Sequence, residues 1–499
     1  MFRIFLVIVV IAASAALWVL HGAAKIGVGY SAKQLCSGVF VSHLPTEFVL
    51  EKDIIPRLKT VAGMNRFAKA KVSDTSATVS ILTATATASY RHRYGCTLHA
   101  EETAIPEVLE QERVDRGAAI DTVQSNNPIV ESAIDTLFEE LPGGGRNTLA
   151  VLVMQGGEIV SERYAAPIGP RTRLQGWSMN KSLMASLVGI QVERGAIDLS
   201  MPVKEQLLAM GTPASDVSNL DGALTLEHLI TMASGLDFDE RYLPGDDVTE
   251  MLYGGVPMWQ VPLAQGHRVA PGQEFVYSSG DTNVVSYLWQ ASLEGEPYAD
   301  WIDREVNQRL GLDNPLLEPD ISGVQVGSSF AYLTARDWAK YGQWWLDAWH
   351  GRDAVLSSDW QRLAAAPSAT ADFYGLSFWL NTHLRDYPGL PENTFHAGGN
   401  SGQFVIVAPD AEIVIVRLGL TLDESAVALA EPLAEADADH DEHKQGEGPG
   451  RRDREHGCTR GSQTHRMNAP RAKPPDYGDE TECGHERNRV VHGAQLLGG

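Results

Sequence analysis

Residues 178–195 read SMNKSLMASLVGIQVERG. Leu183, Met184, Leu187, Val188 and Val192 recur at helical spacing and Gly195 supplies a C-terminal stop, so the stretch predicts an apolar helix. Ser178 opens that helix, and Lys181 follows one turn later on the same face. A helix N-terminus turns free N–H groups and the positive end of its dipole toward the serine, which favours negative charge developing there. A lysine buried at such a place can lose its proton near neutral pH and serve as a base. The pair alone decides little, because 32 Ser and 11 Lys give about 0.7 Ser-x-x-Lys pairs by chance. Its setting decides more: it occurs once, opens an apolar helix and follows a strand hairpin. The plainer alternative is a capping serine with an exposed lysine. Apolar crowding in the first turns counts against it, as does the poor fit of a cation near a helix N-terminus.

Outward from this helix the chain reads as α+β, with two β-hairpins flanking a largely helical middle. TLAVLVMQ (148–155), Gly156-Gly157 and EIVSERYA (158–165) form a hairpin pattern around a two-glycine turn. QFVIVA (403–408), Pro409-Asp410-Ala411 and EIVIVRL (412–418) form a second. Between them lie a short helix at 226–233, ended by Ser234-Gly235, and a longer amphipathic one at 334–349, whose tryptophan stripe reads as core. Residues 70–100 are rich in Thr, Ser and Val and read as β, in a smaller preceding unit.

Two further motifs stand beside the Ser-x-x-Lys pair. FVYSSGDTN (275–283) carries Tyr277, Ser278 and Ser279; alone, such a tyrosine reads as a loop residue with a bonded hydroxyl. FHAGGNSGQ (395–403) leads into the last hairpin, and its glycines permit a close backbone approach, as a substrate-binding strand edge requires. In this order, over residues 145–430, the three motifs resemble the serine β-lactamase and penicillin-binding-protein superfamily. The nearest likeness is to its class C-related, CubicO-type serine hydrolases, which include esterases and 6-aminohexanoate-dimer hydrolase. LEHLITMASGLDF (226–238) and GSSFAYLTARDWAKYG (327–342) support the resemblance, and Tyr-Ser-Ser is similar to the amide-dimer hydrolase branch.

The resemblance implies a β-lactamase/transpeptidase-like fold, an antiparallel sheet flanked by helices plus an all-helical subdomain, and an acyl-enzyme reaction on an amide or ester. Ser178 would be the nucleophile, Lys181 would take or relay its proton, and Tyr277 would be the second acid/base. The oxyanion would rest on the backbone N–H of Ser178 and of a residue on the final strand. Counting back from Pro409 sets Ala397-Gly398-Gly399 on the family triplet and makes Asn400 that donor. Starting the triplet at His396 makes Gly399 the donor instead. The first register needs no gap and is preferred, with Ser279, His396, Gly398 and Gly399 lining the substrate. In that register Ala397 replaces the cation that would grip a substrate carboxylate, and Ser279 replaces the usual Asn. Both departures speak against efficient β-lactam turnover and leave the nucleophile and its bases in place. A D,D-peptidase, or a silent envelope protein binding peptides or cell-wall fragments, are the other readings of the same fold.

Composition sets the remaining bounds. The 499 residues carry a net charge of −24, which argues against a nucleic-acid partner. No phosphate-binding loop occurs, and the scattered histidines of the folded region, among them His92, His99, His228, His267, His383 and His396, show no metal-ligand spacing, so neither metal nor cofactor is expected. A Ser-His-Asp arrangement through His396 lacks the Gly-x-Ser-x-Gly elbow. Residues 4–20 are uncharged and follow Arg3, the pattern of a signal peptide or signal anchor over 1–24. An anchor is favoured, which sets the catalytic domain outside the inner membrane, in the periplasm or beyond. Export would permit a Cys36–Cys96 bridge, although two separate buried thiols fit the sequence as well. The expected organisation is therefore a membrane segment at 1–24, a partly β region at 25–144, the hydrolase domain at 145–435 and a tail at 436–499. That tail is rich in Gly, Pro, Arg, Asp, Glu and His and reads as disordered. The sequence does not fix the oligomeric state.

Overall fold

The computed structural model describes residues 2–61, 63–99, 121–141, 145–313, 315–352 and 355–422. The tail at 436–499 lies outside the described residues. The chain begins with a long helix, α1 (Phe2–Cys36), which runs unbroken across the expected boundary at 24/25. Its C-terminal half is buried against a meander of four antiparallel strands: β1 (Ala68–Val72), β2 (Ser76–Ile81), β3 (Ala84–Arg91) and β4 (Gly95–His99). Ala24, Val28, Ala32 and Leu35 of the helix share this core with Ala77, Val79, Ile81 and Ala88 of the strands. The Cys36–Cys96 disulfide is formed and ties the end of α1 to β4. Beside it, Glu318 accepts hydrogen bonds from Lys33, Ser37 and the Cys96 N–H, all buried. A buried anion needs such partners, and here they join the N-terminal unit to the rest of the chain. Among the described residues no helix is long and apolar enough to cross a membrane, so the membrane segment expected over 1–24 gains no support from the fold.

The expected hairpins are β5 (Thr148–Gln155) with β6 (Glu158–Tyr164), and β12 (Gln403–Ala408) with β13 (Ile413–Gly419). Gly156 and Gly157 both take positive φ, as the tight turn between β5 and β6 requires. Two short strands, β7 (Leu174–Gln175) and β8 (Leu316–Leu317), flank β9 (Ala331–Leu333) in a small separate sheet. The main sheet has the order β10 (Trp379–Leu380), β11 (Phe395–Gly399), β12, β13, β5, β6, and every pairing is antiparallel. The two hairpins thus meet at β13 and β5, with Ile415 opposite Val153.

Both faces of this sheet are covered. Val151, Val153, Ile406 and Ile415 pack on Ala133, Ile134 and Leu137 of α2 (Pro128–Phe138). Leu152, Val405, Val414 and Val416 face the larger core, which holds α3 (Met179–Glu193), α4 (Ser279–Ala291) and α5 (Ala335–Trp349). Double coverage explains why β5 and β13 read as continuous apolar runs rather than alternating ones. On α5, Trp338 and Trp345 are wholly buried, as the core reading of the tryptophan stripe requires.

Candidate active site

Ser178 stands at the N-cap of α3, and its hydroxyl makes no capping bond. It is held there by backbone. The Gly176 N–H donates to the Ala331 carbonyl, and Trp177 takes a φ of +50°, an uncommon conformation for a large side chain. A Cβ at Gly176 would run into Trp338 of α5, so the turn needs glycine to sit on the helix. Trp177 itself packs into the core of the N-terminal unit, in keeping with a packing role.

Lys181 projects from the first turn of α3 and is 1% exposed. Its Nζ lies 3.0 Å from Ser178 Oγ, 3.0 Å from Ser279 Oγ and 3.2 Å from the Ser328 carbonyl oxygen. The same Nζ sits 4.7 Å from the centre of the Tyr277 ring. Burial pushes the amine down to about 8, against the pull of Glu240 and Asp281, whose negative charge favours the ammonium form. At neutral pH a useful fraction of this lysine is therefore a free base. Tyr277 is placed by an aromatic wall, its ring 5.6 Å from Trp379 and 6.3 Å from Tyr374. The sequence-predicted Ser178, Lys181 and Tyr277 come together around one amine.

Ser279 is fully buried, and its hydroxyl spans Lys181 and the Glu240 carboxylate, 2.6 Å away. Its hydroxyl is engaged by these two groups, not left open toward a substrate. Glu240 also accepts the Ser279 N–H at 2.9 Å and the Tyr242 hydroxyl at 3.0 Å. Burial pushes its carboxyl up, while Lys181 and these hydrogen bonds hold it down. Glu240, Tyr242 and Ser328 did not stand out in the sequence. The signal was an acidic loop, LDFDERY (236–242), in which nothing separates Glu240 from Asp237 and Asp239. Those two aspartates face Arg268 and Arg241 on the exposed side of the loop. Asp281, on α4, accepts from Ser234 and is pushed up to about 7 by burial.

The strand residues fall as follows. Phe395 and Ala397 face the main core, while His396 lies in an aromatic layer with Trp379, Tyr387 and Phe404. Gly398 neighbours His396 and Trp379, and a Cβ there would make only ordinary contacts. Gly399 is different. A Cβ at Gly399 would stand 2.2 Å from the Gly176 carbonyl oxygen and 3.2 Å from the Ser178 N–H nitrogen. Asn400 is already in the turn, its side-chain oxygen accepting from Arg57 at 3.3 Å and from Ser401 at 2.7 Å. The backbone that lies against the Ser178 amide is thus that of Gly399. Among the described residues, no group of three or more His, Cys, Asp or Glu side chains could hold a metal ion.

Residues 134–439 match the family model described as Beta-lactamase. The chain is 26% identical over 291 residues to a 6-aminohexanoate-dimer hydrolase of Paenarthrobacter ureafaciens, covering 54% of this chain and 72% of that protein. It is 25% identical over 199 residues to a beta-lactamase of Pseudomonas fluorescens, covering 38% of this chain and half of that one. Among solved structures, a family VIII carboxylesterase superposes with a TM-score of 0.50 at 14% identity, over 64% of this chain and all of the other. A Bacillus anthracis protein named after the 6-aminohexanoate-dimer hydrolases superposes with a TM-score of 0.51 at 17% identity, over 66% and 88%. At such identities these two superpositions speak for the fold alone.

Proposed function

This chain belongs to the beta-lactamase family, and from that premise we propose that it is an exported serine hydrolase that cleaves an amide or ester through an acyl-enzyme on Ser178. One observation carries the reading: a buried amine, with its proton affinity lowered to about 8, lies 3.0 Å from a hydroxyl that does not cap its helix. The Ser178 oxygen attacks the substrate carbonyl as its proton passes to Lys181. The resulting oxyanion is stabilised by the Ser178 N–H and by backbone N–H at the end of β11, with Gly399 the better placed of the two candidates. Tyr277, beside the same amine, passes a proton to the leaving group and later assists the water that releases the acyl group. The hydrolase name of the Paenarthrobacter ureafaciens relative supports an amide substrate.

Export rests on the sequence of residues 4–20 and on the disulfide, which oxidising surroundings sustain. Exposed Ile4, Phe5, Leu6, Val7 and Trp18 on α1 are compatible with attachment to the inner membrane, the catalytic unit lying in the periplasm or outside the cell.

The test is direct. A fluorophosphonate probe labels Ser178 in the full chain, and Ser178→Ala loses both the label and the hydrolysis of p-nitrophenyl esters and linear amide dimers. A chromogenic cephalosporin is turned over poorly. An adduct on any other serine overturns the assignment, and tight peptide binding without turnover by the wild type returns the silent-binder reading.

A further inference from the structure

Lys181 has three polar neighbours and, as a neutral amine, two hydrogens and one lone pair. Which neighbour meets the lone pair decides whether the amine can take a proton from Ser178. The Ser328 carbonyl can only accept, so it receives one hydrogen. The direction of the Ser279 bond is set from behind, by Glu240. An ionised carboxylate offers no donor, and three donors converge on this one: the Ser279 hydroxyl and the Tyr242 hydroxyl on Oε1, and the Ser279 N–H on Oε2. The Ser279 proton is thereby directed to Glu240, and its oxygen, which also stands 3.5 Å from the Tyr242 hydroxyl, is left to accept the second hydrogen of Lys181.

We propose that Glu240 is a positioning residue: by holding the Ser279 proton it leaves the lone pair of Lys181 facing the Ser178 hydroxyl. The inference rests on the reading of Ser178 as nucleophile and deepens it. An amide or a protonated carboxyl at 240 can itself donate to Ser279. Ser279 then turns its own proton on the lone pair and competes with Ser178. Glu240 also lies within about 6 Å of the amine through two hydrogen bonds, and its negative charge raises the lysine's affinity for a proton. The other groups around this chain are Asp281 of α4, which bears on both charges, and the Tyr242 and Tyr277 hydroxyls.

The experiment follows the rate of Ser178 labelling by a fluorophosphonate across pH in the full-length chain, with mass spectrometry of the adduct. Absence of a Ser178 adduct in the wild type sinks the proposed function itself. Given the adduct, Glu240→Gln lowers the high-pH labelling rate about tenfold or more and moves the midpoint toward acid by about one pH unit. Glu240→Asp keeps the charge, so its midpoint stays at the wild-type value while its plateau falls. A residue that only braces the loop lowers the rate in both variants without moving either midpoint, and that outcome overturns the proposal, as does a Glu240→Gln profile superposing on the wild type. Should Glu240→Gln not fold, Ser279→Ala decides. It removes the bridge and keeps the carboxylate, and a plateau within about twofold of the wild type refutes the bridge.

Discussion

Adding one methyl group at Gly399 tests the heart of the site. The new Cβ of Gly399→Ala would sit 2.2 Å from the Gly176 carbonyl oxygen, where ordinary contacts begin at 3.4 Å. Both partners are backbone, so no side chain can swing aside; β11 or the turn before Ser178 must yield by about 1 Å, a misplacement able to cost about 10²-fold in rate. Loss of one oxyanion donor is worth about 10²–10³ in kcat, so the two estimates agree in size. Stability should fall by about 1–3 kcal/mol, as for other overpacked positions. Asn400→Ala is the control, since it removes only the side chain bonded to Arg57 and Ser401 and leaves the backbone N–H in place. Steady-state hydrolysis of a p-nitrophenyl ester, with a thermal melt of each variant, reads both effects. A folded Gly399→Ala with kcat within about threefold of the wild type refutes the close approach of β11 to the nucleophile. An Asn400→Ala loss as large as that of Gly399→Ala shows that the turn's side-chain bonds to Arg57 and Ser401, and not the approach of β11, govern the rate.

Further outcomes follow from the same geometry. With Lys181 at about 8, the labelling of Ser178 should rise with pH and be roughly 100-fold slower at pH 6 than above pH 9; a flat profile over that span excludes the lysine as base. The same shift has a sign for stability. The folded value lies below the ordinary 10.5, so charging the buried amine opposes folding in full below about pH 8 and ceases to do so as pH rises to 10.5, which denaturant titrations at two pH values can read. Tyr277→Phe should keep its melting temperature and lose about 10²–10⁴ in kcat, the usual share of an acid/base group, and full activity would remove the phenol from the scheme. Breaking the Cys36–Cys96 bridge, which spans 60 residues, should remove about 4 kcal/mol from the unfolding free energy of the oxidised protein, and an unchanged denaturation midpoint after reduction contradicts this.

Much of this architecture is legible in the sequence because it is local. The Gly156-Gly157 turn, the stop at Gly195 and the one-turn spacing of Ser178 and Lys181 are each decided within a few residues, and the structure holds all three. What escaped detection is non-local. Arg57 reaches Asn400 across 343 positions, and Glu240 reaches Ser279 across 39, with no periodicity to mark either. The donor register hung on a one-residue offset. β11 ends at Gly399 and pairs it with Gln403, leaving Asn400, Ser401 and Gly402 as a three-residue turn, with φ of +66° and +77° at the last two. A count back from Pro409 carries no sign of where β11 ends and this turn begins. The pairing or separation of Cys36 and Cys96 was equally open, because only the packing of α1 on the meander brings them together.

The seam between the two hairpins sets a timetable for the chain's birth. Val151 pairs with Arg163 of β6 on one edge, but on the other its ladder partner is Arg417, and the ribosome must make everything between them first. Until then β5, seven of whose eight residues end up buried, has one side unzipped and apolar. Consolidation of the main sheet is therefore a late event in synthesis, and the interval before closure is when a holdase has most to protect.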